Sequence, residues 1–352
     1  MCERQHKRIR AEILAAVSVA ARTLINMNLT ADQLDRARAT LVGAAAGDAL
    51  GAGYEFELAP FNGRAEMIGG GLGDFAPFEW TDDTAQTYCV AAAAAEFHDL
   101  RKPEALDAVA AGIARWFRDD PPDVGNITRA VLTDAGPFPS AARLKGVAQH
   151  YYRRHDRSGG NGSLMRTAPV ALAHLNDPWA LVDAAYDVSY LTHGDPIAAE
   201  ACAIWCLMLR ESILLGGFND VGEFVGYLPT KDGQDRWAQI LHDAEMADPH
   251  RFCPNGYVVT ALQAAWSSIR RTPVPPWRPQ DHLVDTLNTV IGIGNDTDTV
   301  ASIAGALLGA RWGMSAIPAD WVPKLHGWGN TVTGVATGTD LLELADKITA
   351  QH

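Results

Sequence analysis

The chain has 352 residues, enough to bury a large core, and its 47% hydrophobic and 20% charged content excludes a disordered polymer. A formal net charge of −13 disfavours a nucleic-acid backbone as the main partner, but not a phosphorylated ligand held by a metal or by helix N-termini. No apolar run approaches the roughly 18 residues that a membrane span requires. The five cysteines (Cys2, Cys89, Cys202, Cys206, Cys253) are odd in number and lack paired metal spacing. Cys202 and Cys206, one helical turn apart in an apolar segment, read as buried free thiols, which suits a reducing cytoplasm.

In chain order, Lys7, Arg8 and Arg10 precede ILAAVSVAA and faintly resemble a secretory leader. Glu12 interrupts that pattern, however, and Ile9, Ile13, Val17, Ala20 and Leu24 recur at helical spacing. An amphipathic helix is therefore expected, in an N-terminal extension over 1–34. Next comes LVGAAAGDALGAGYEFE, whose Gly43, Gly47 and Gly51 share one helical face. Interior glycine costs about 0.5–1 kcal/mol relative to alanine, so three in register imply that something approaches the backbone closely. Tight helix–helix packing explains much of that pattern, as it does for Gly305 and Gly309. It leaves Asp48 and Glu55 without a purpose. Alanine-rich stretches at 85–97, 104–117, 197–215, 257–270 and 299–312 carry helical periodicity. Breaks fall at DDPPDVGN, DAGPFPS, RSGGNGS, THGDP and RRTPVPPWRPQ. Few segments alternate as strands do. The expectation is one all-α domain over 35–352.

Two acidic clusters open small-residue helices. The first, Thr81–Asp82–Asp83, begins TDDTAQTYCVAAAAAEF; the second, Asp296, Asp298 and Thr299, begins GNDTDTVASIAGALLGA. One carboxylate can cap a helix N-terminus, but a second beside it is repelled unless a cation or shared proton intervenes. Taken together the clusters form an oxygen donor set suited to a hard divalent cation, Mg²⁺ or Mn²⁺, rather than zinc. Several carboxylates can hold two such ions. Two unrelated helix caps are the alternative.

From about Asp35 to the C-terminus, the ordered motifs GDALGAGYEF, WTDDTAQ, PPDVGNITRA, GGNGSLMR, LTHGDP and GNDTDTVASIAGALLGA resemble the ADP-ribosylglycohydrolase family. The resemblance implies a compact single-domain orthogonal helical fold with a binuclear Mg²⁺ or Mn²⁺ centre. It makes Thr81, Asp82, Asp83, Asp296, Asp298 and Thr299 the metal ligands and sets Glu55 near the metals and the scissile bond. GGNGSLMR, with Asn161, Gly162, Ser163, Leu164 and Met165, becomes a phosphate loop. Backbone N–H groups at Gly159, Gly160 and Gly162 can point inward there. His193 is expected near the diphosphate or ribose. Asp123 and Asn126 resemble the pocket residues of members acting on ADP-ribosylated arginine, and a carboxylate suits a guanidinium.

The implied reaction is hydrolysis of the N-glycosidic bond between ribose and arginine, with oxocarbenium character at the anomeric carbon. Glu55 and Asp123 are both candidates for proton transfer. The alternatives are release of serine-linked, O-acetyl or nucleic-acid-linked ADP-ribose, and an immunity protein that binds an ADP-ribosylating toxin through residues 1–34. A fold that has lost catalysis is disfavoured, because every expected ligand is present.

Overall fold

The computed structural model describes residues 28–218 and 221–352. The amphipathic helix expected over 9–24 lies outside them. Helices dominate: α1 (Ala31–Gly51), α2 (Asp82–Phe97), α3 (Pro103–Arg118), α4 (Asn126–Ala135), α5 (Ala141–Tyr152), α6 (Ala168–Ala173), α7 (Pro178–Ser189), α8 (Pro196–Leu215), α9 (Lys231–Met246), α10 (Val258–Arg271), α11 (His282–Ile291), α12 (Thr297–Trp312) and α13 (Gly338–Thr349). The five alanine-rich stretches are α2, α3, α8, α10 and α12. A short antiparallel ribbon, β1 (His326–Trp328) with β2 (Val335–Thr337), pairs Gly327 with Ala336. No described helix is long and apolar enough to cross a membrane.

α1 begins with a capping box at Thr30: its hydroxyl accepts from Gln33 N–H, and the Gln33 side chain accepts from Thr30 N–H. The helix is then buried almost all round from Ala37 to Gly51. It runs antiparallel against α12, and the glycines allow the approach. A methyl group at Gly47 would lie 2.1 Å from the Ala301 carbonyl oxygen, and one at Gly305 2.1 Å from that of Gly43. At the far end Gly51 meets the Asp298 backbone. The helix pairing thus sets the C-terminal end of α1, with Asp48, against the acidic N-terminus of α12.

Around this pair, α2, α8, α10, α11 and α13 complete the core, with Trp80, Trp116, Trp205, Trp237 and Trp266 fully buried. Burying side chains of that size contributes strongly to stability. Arg38 of α1 pairs with Asp346 of α13 through both carboxylate oxygens. Cys89, Cys202 and Cys206 are buried free thiols.

Candidate metal centre

After α1 the chain tightens into a 3₁₀ turn over 52–57. Glu55 leaves helical geometry, and Phe56 and Glu57 take left-handed backbone conformations (φ 46° and 58°). Those turns bring Phe56 N–H to the Asn295 carbonyl, so the Glu55 loop and the loop before α12 are laced together. Glu55 itself is buried.

Thr81 caps α2, and Asp48 positions that cap from outside. Asp48 Oδ1 accepts from Thr81 N–H at 3.0 Å, and Oδ2 accepts from Thr84 N–H and its hydroxyl at 2.9 and 2.6 Å. The first turn of α2 is thereby fixed on α1. Asp83 Oδ2 accepts the hydroxyls of Thr81 and Thr299 at 3.2 and 3.3 Å, and Thr81 Oγ1 lies 3.4 Å from Asp298 Oδ2. Two acidic groups result, Asp48–Asp83–Asp298 and Glu55–Asp296–Asp298, each with oxygens within 4.8 Å of one another. Asp298 belongs to both. Asp82 stands outside these groups, its Oδ2 accepting from Gln86 Nε2 at 3.1 Å. Asp296 occupies the N-cap position of α12 but makes no side-chain cap hydrogen bond there. Its Oδ2 accepts from Asn161 instead. Simple helix capping therefore does not account for that carboxylate.

The electrostatics describe a site built for positive charge. Burial raises Asp48 to about 6, against the opposing effect of the Thr84 and Thr81 hydrogen bonds. Burial, then the charges of Asp296, Asp123 and Asp82, raises Glu55 to about 9. Asp82, Asp83 and Asp298 are held well above the carboxylate range by burial first and neighbouring carboxylates second. Asp83 Oδ1 is buried with no hydrogen-bond partner. A buried carboxylate oxygen left bare requires a proton or a cation, and an all-oxygen donor set fits hard divalent ions. The residues present therefore fit a metal centre able to hold two ions.

Asp123 is half-buried, and burial raises its carboxyl against the opposing Val124 N–H hydrogen bond, with the Asp296 charge adding to the rise. Asn126 is the exposed first residue of α4. Beside it, Ile127 packs against the hollow at Gly160. In the glycine loop, Asn161 Nδ2 donates to Asp296 Oδ2 (2.8 Å) and to the Asn255 carbonyl (3.2 Å). Gly162 is half-buried, while the Ser163 hydroxyl turns into the core to Ser189. Leu164 and Met165 are buried, with Met165 Sδ reaching Thr299 Oγ1. His193 lies beneath the loop: a methyl group on Gly162 would sit 3.1 Å from its Cε1. Burial, then the Arg166 charge, lowers His193 to about 3, so it is neutral.

Three participants were not legible as such in the sequence. Asn255, in CPNGY, accepts Asp296 N–H at Oδ1 and donates to the Gly294 carbonyl, and its own carbonyl accepts from Asn161, bracing the loop before α12 against the glycine loop. Gln86 and Arg166 bond one another behind Asp82. For Gln86 the available signal was its i+4 spacing from Asp82 on one helix face; Asn255 carries no such local signal.

The chain is similar to several known proteins. The sequence model described as ADP-ribosylglycohydrolase matches residues 29–352. An ADP-ribosylarginine hydrolase Tri1 of Pseudomonas putida (strain GB-1) is 28% identical over 308 residues, covering 84% of this chain and 76% of that protein. The ADP-ribosyl-[dinitrogen reductase] glycohydrolase of Rhodospirillum rubrum is 29% identical over 301 residues, covering 83% and 90%. A solved ADP-ribosylglycohydrolase-related protein complex contains a chain that superposes with TM-score 0.65 and 27% identity, covering 92% of this chain and 99% of that one.

Proposed function

Because the chain belongs to the ADP-ribosylglycohydrolase family, we propose that it hydrolyses the N-glycosidic bond joining ADP-ribose to arginine side chains of modified proteins. The observation that carries this reading is the convergence of Glu55, Asp48, Asp83, Asp296 and Asp298 on one buried acidic centre with a bare carboxylate oxygen. Support for arginine comes from the name of the relative in Pseudomonas putida and from Asp123, which is within electrostatic reach of Glu55 and Asp82. A half-buried carboxylate there accepts paired N–H bonds from a guanidinium.

Thr81, Asp83, Asp296, Asp298 and Thr299, with Asp82 reaching in from outside the two acidic groups, would hold two divalent cations, Mg²⁺ or Mn²⁺, with Asp48 setting the first group in place. When bound, such ions supply Lewis-acid polarisation and balance the carboxylate charge. The chain does the rest. The Glu55 carboxyl, turned inward by the bend at Phe56, holds or releases a proton at the reacting centre. Asp123 orients the leaving guanidinium. The ring of carboxylates stabilises positive charge developing at the anomeric carbon. The glycine loop and the neutral His193 receive the diphosphate end. A cytoplasmic location goes with this reading, supported by the buried free thiols.

The test is release of ADP-ribose from peptides modified on arginine or on serine, with and without chelator. Arginine-linked substrate should react at least about tenfold faster, a margin that one guanidinium–carboxylate pair can provide. Chelation should stop the reaction and added Mn²⁺ or Mg²⁺ restore it. Preference for serine, or full activity in chelator, would overturn the reading.

A further inference from the structure

Arg166 is fully buried, yet no carboxylate pairs with it among the described residues. An unpaired interior cation is costly, so its retention asks for a reason. Its Nη1 donates to Gln86 Oε1 at 2.6 Å, and Gln86 Nε2 donates on to Asp82 Oδ2 at 3.1 Å. In the other direction Nη2 donates to Thr192 Oγ1 at 2.7 Å and to the Val188 carbonyl at 3.2 Å, and Thr192 Oγ1 lies 2.8 Å from His193 Nδ1. One guanidinium thus stands between the Asp82 carboxylate, beside the acidic groups, and the histidine under the glycine loop.

The chemistry of the donors fixes the direction of each bond. A guanidinium has only donors, so Gln86 must turn its oxygen toward Arg166 and its NH₂ toward Asp82. Thr192 Oγ1 accepts from Arg166 and has one hydrogen of its own. No other acceptor for that hydrogen is found among the described residues, so it goes to His193 Nδ1. His193 must then carry its proton on Nε2, the ring atom that lies 3.3 Å from where a methyl on Gly162 would be and 3.5 Å from one on Gly160.

We propose that Arg166 is a positioning residue for the reaction above. Through Gln86 it orients Asp82, and through Thr192 it locks His193 as an Nε2–H donor facing the glycine loop, where an anionic diphosphate would be bound. The inference rests on the proposed function for the identity of that anion. It does not rest on it for the tautomer.

The experiment uses the full chain with Thr192→Val, Gln86→Leu and Arg166→Lys, and His193→Gln to assign the imidazole signals. Two-bond ¹H–¹⁵N spectra of the unmodified protein should show His193 with a protonated Nε2 and an acceptor Nδ1. Thr192→Val, nearly isosteric, should abolish that single tautomer and weaken ADP-ribose binding about tenfold, as loss of one well-placed charge-assisted hydrogen bond does. In turnover it should raise KM more than it lowers kcat. Gln86→Leu should leave the tautomer intact, weaken Mn²⁺ binding on the order of tenfold and lower kcat more than it raises KM. Arg166→Lys keeps the charge without the fork and should lose both effects; should it not fold, the first two variants still decide. An Nδ1–H tautomer in the unmodified protein, or an unchanged tautomer and Kd in Thr192→Val, overturns the proposal. A protein that shows the Nε2–H tautomer and the shifts in ADP-ribose and Mn²⁺ binding but fails to cleave arginine-linked ADP-ribose retires the reaction and leaves the network standing.

Discussion

Asn255 illustrates how a side chain outside the acidic groups can fix the loop that carries Asp296. Its Oδ1 holds Asp296 N–H, its Nδ2 holds the Gly294 carbonyl, and its own carbonyl accepts from Asn161. Asn255→Ala is expected to lower Mn²⁺ affinity about 10- to 100-fold, the range for residues that support metal ligands, with the circular-dichroism spectrum unchanged. Isothermal titration calorimetry reads this directly, and an unchanged Kd would show that Asp296 needs no such brace. Asp298, shared by both acidic groups, is more severe: Asp298→Ala should abolish ADP-ribose release while the helical signal persists. At this scale the sequence was informative where a residue type is chemically odd for its setting. Paired carboxylates at the mouth of an apolar helix pointed to the centre, and Asp48 stood out as unexplained by packing. Asn255 and Arg166 did not stand out, because an asparagine in a Pro–Gly turn and an arginine after a glycine loop look ordinary. Their roles come from partners 41 and 80 positions away.

Among the elements, α1 and α12 determine the rest, since their register puts Gly51 against Asp298. A side chain at that seam cannot be absorbed by backbone atoms. Gly47→Ala and Gly305→Ala are therefore each expected to destabilise by about 1–3 kcal/mol or more, the cost of overpacking a filled interface. Gly146 in α5 provides the contrast. It is exposed, with nothing within 4 Å of an added methyl, so Gly146→Ala should stabilise by about 0.5–1 kcal/mol through helix propensity alone. Denaturant midpoints for the three variants check the sign of each change; destabilisation at Gly146, or neutrality at Gly47, would contradict the packing account. α1 and α12 were readable in advance because small-residue runs at helical spacing act locally. Spacing by fours at Gly43, Gly47 and Gly51 also announced a close approach. The ribbon of β1 and β2 was not readable, since three-residue strands are too short for an alternation to show.

For the molecule as a whole, folding must gather like charges into a dry centre, and the consequence is a coupling of stability, pH and metal. Glu55, raised to about 9, and Asp48, raised to about 6, keep protons in the metal-free fold that the unfolded chain has already released. Asp82, Asp83 and Asp298 shift the same way. Groups raised in this sense contribute stability below their unfolded values, and it is lost as pH rises through the folded ones. The metal-free protein should accordingly weaken from the ordinary carboxylate range upward, through about pH 6 for Asp48 and about pH 9 for Glu55, whereas divalent ions, which displace those protons, should stabilise it increasingly over the same range. Thermal melts with chelator and with Mn²⁺ should therefore diverge as pH rises; parallel curves would mean that the carboxylates and the ions do not share a site. Sequence alone could propose that residues 217 positions apart, such as Thr81 and Asp298, meet, but only the antiparallel seam of α1 and α12 supplies the reason. The most direct test of that meeting is Mn²⁺ binding, measured by calorimetry and electron paramagnetic resonance on the intact chain and on Asp298→Asn. Two bound ions with a spin-coupled signal, reduced in number or affinity by the substitution, is the result expected; an intact chain that binds none, or an Asp298→Asn protein that binds them unchanged, would contradict it.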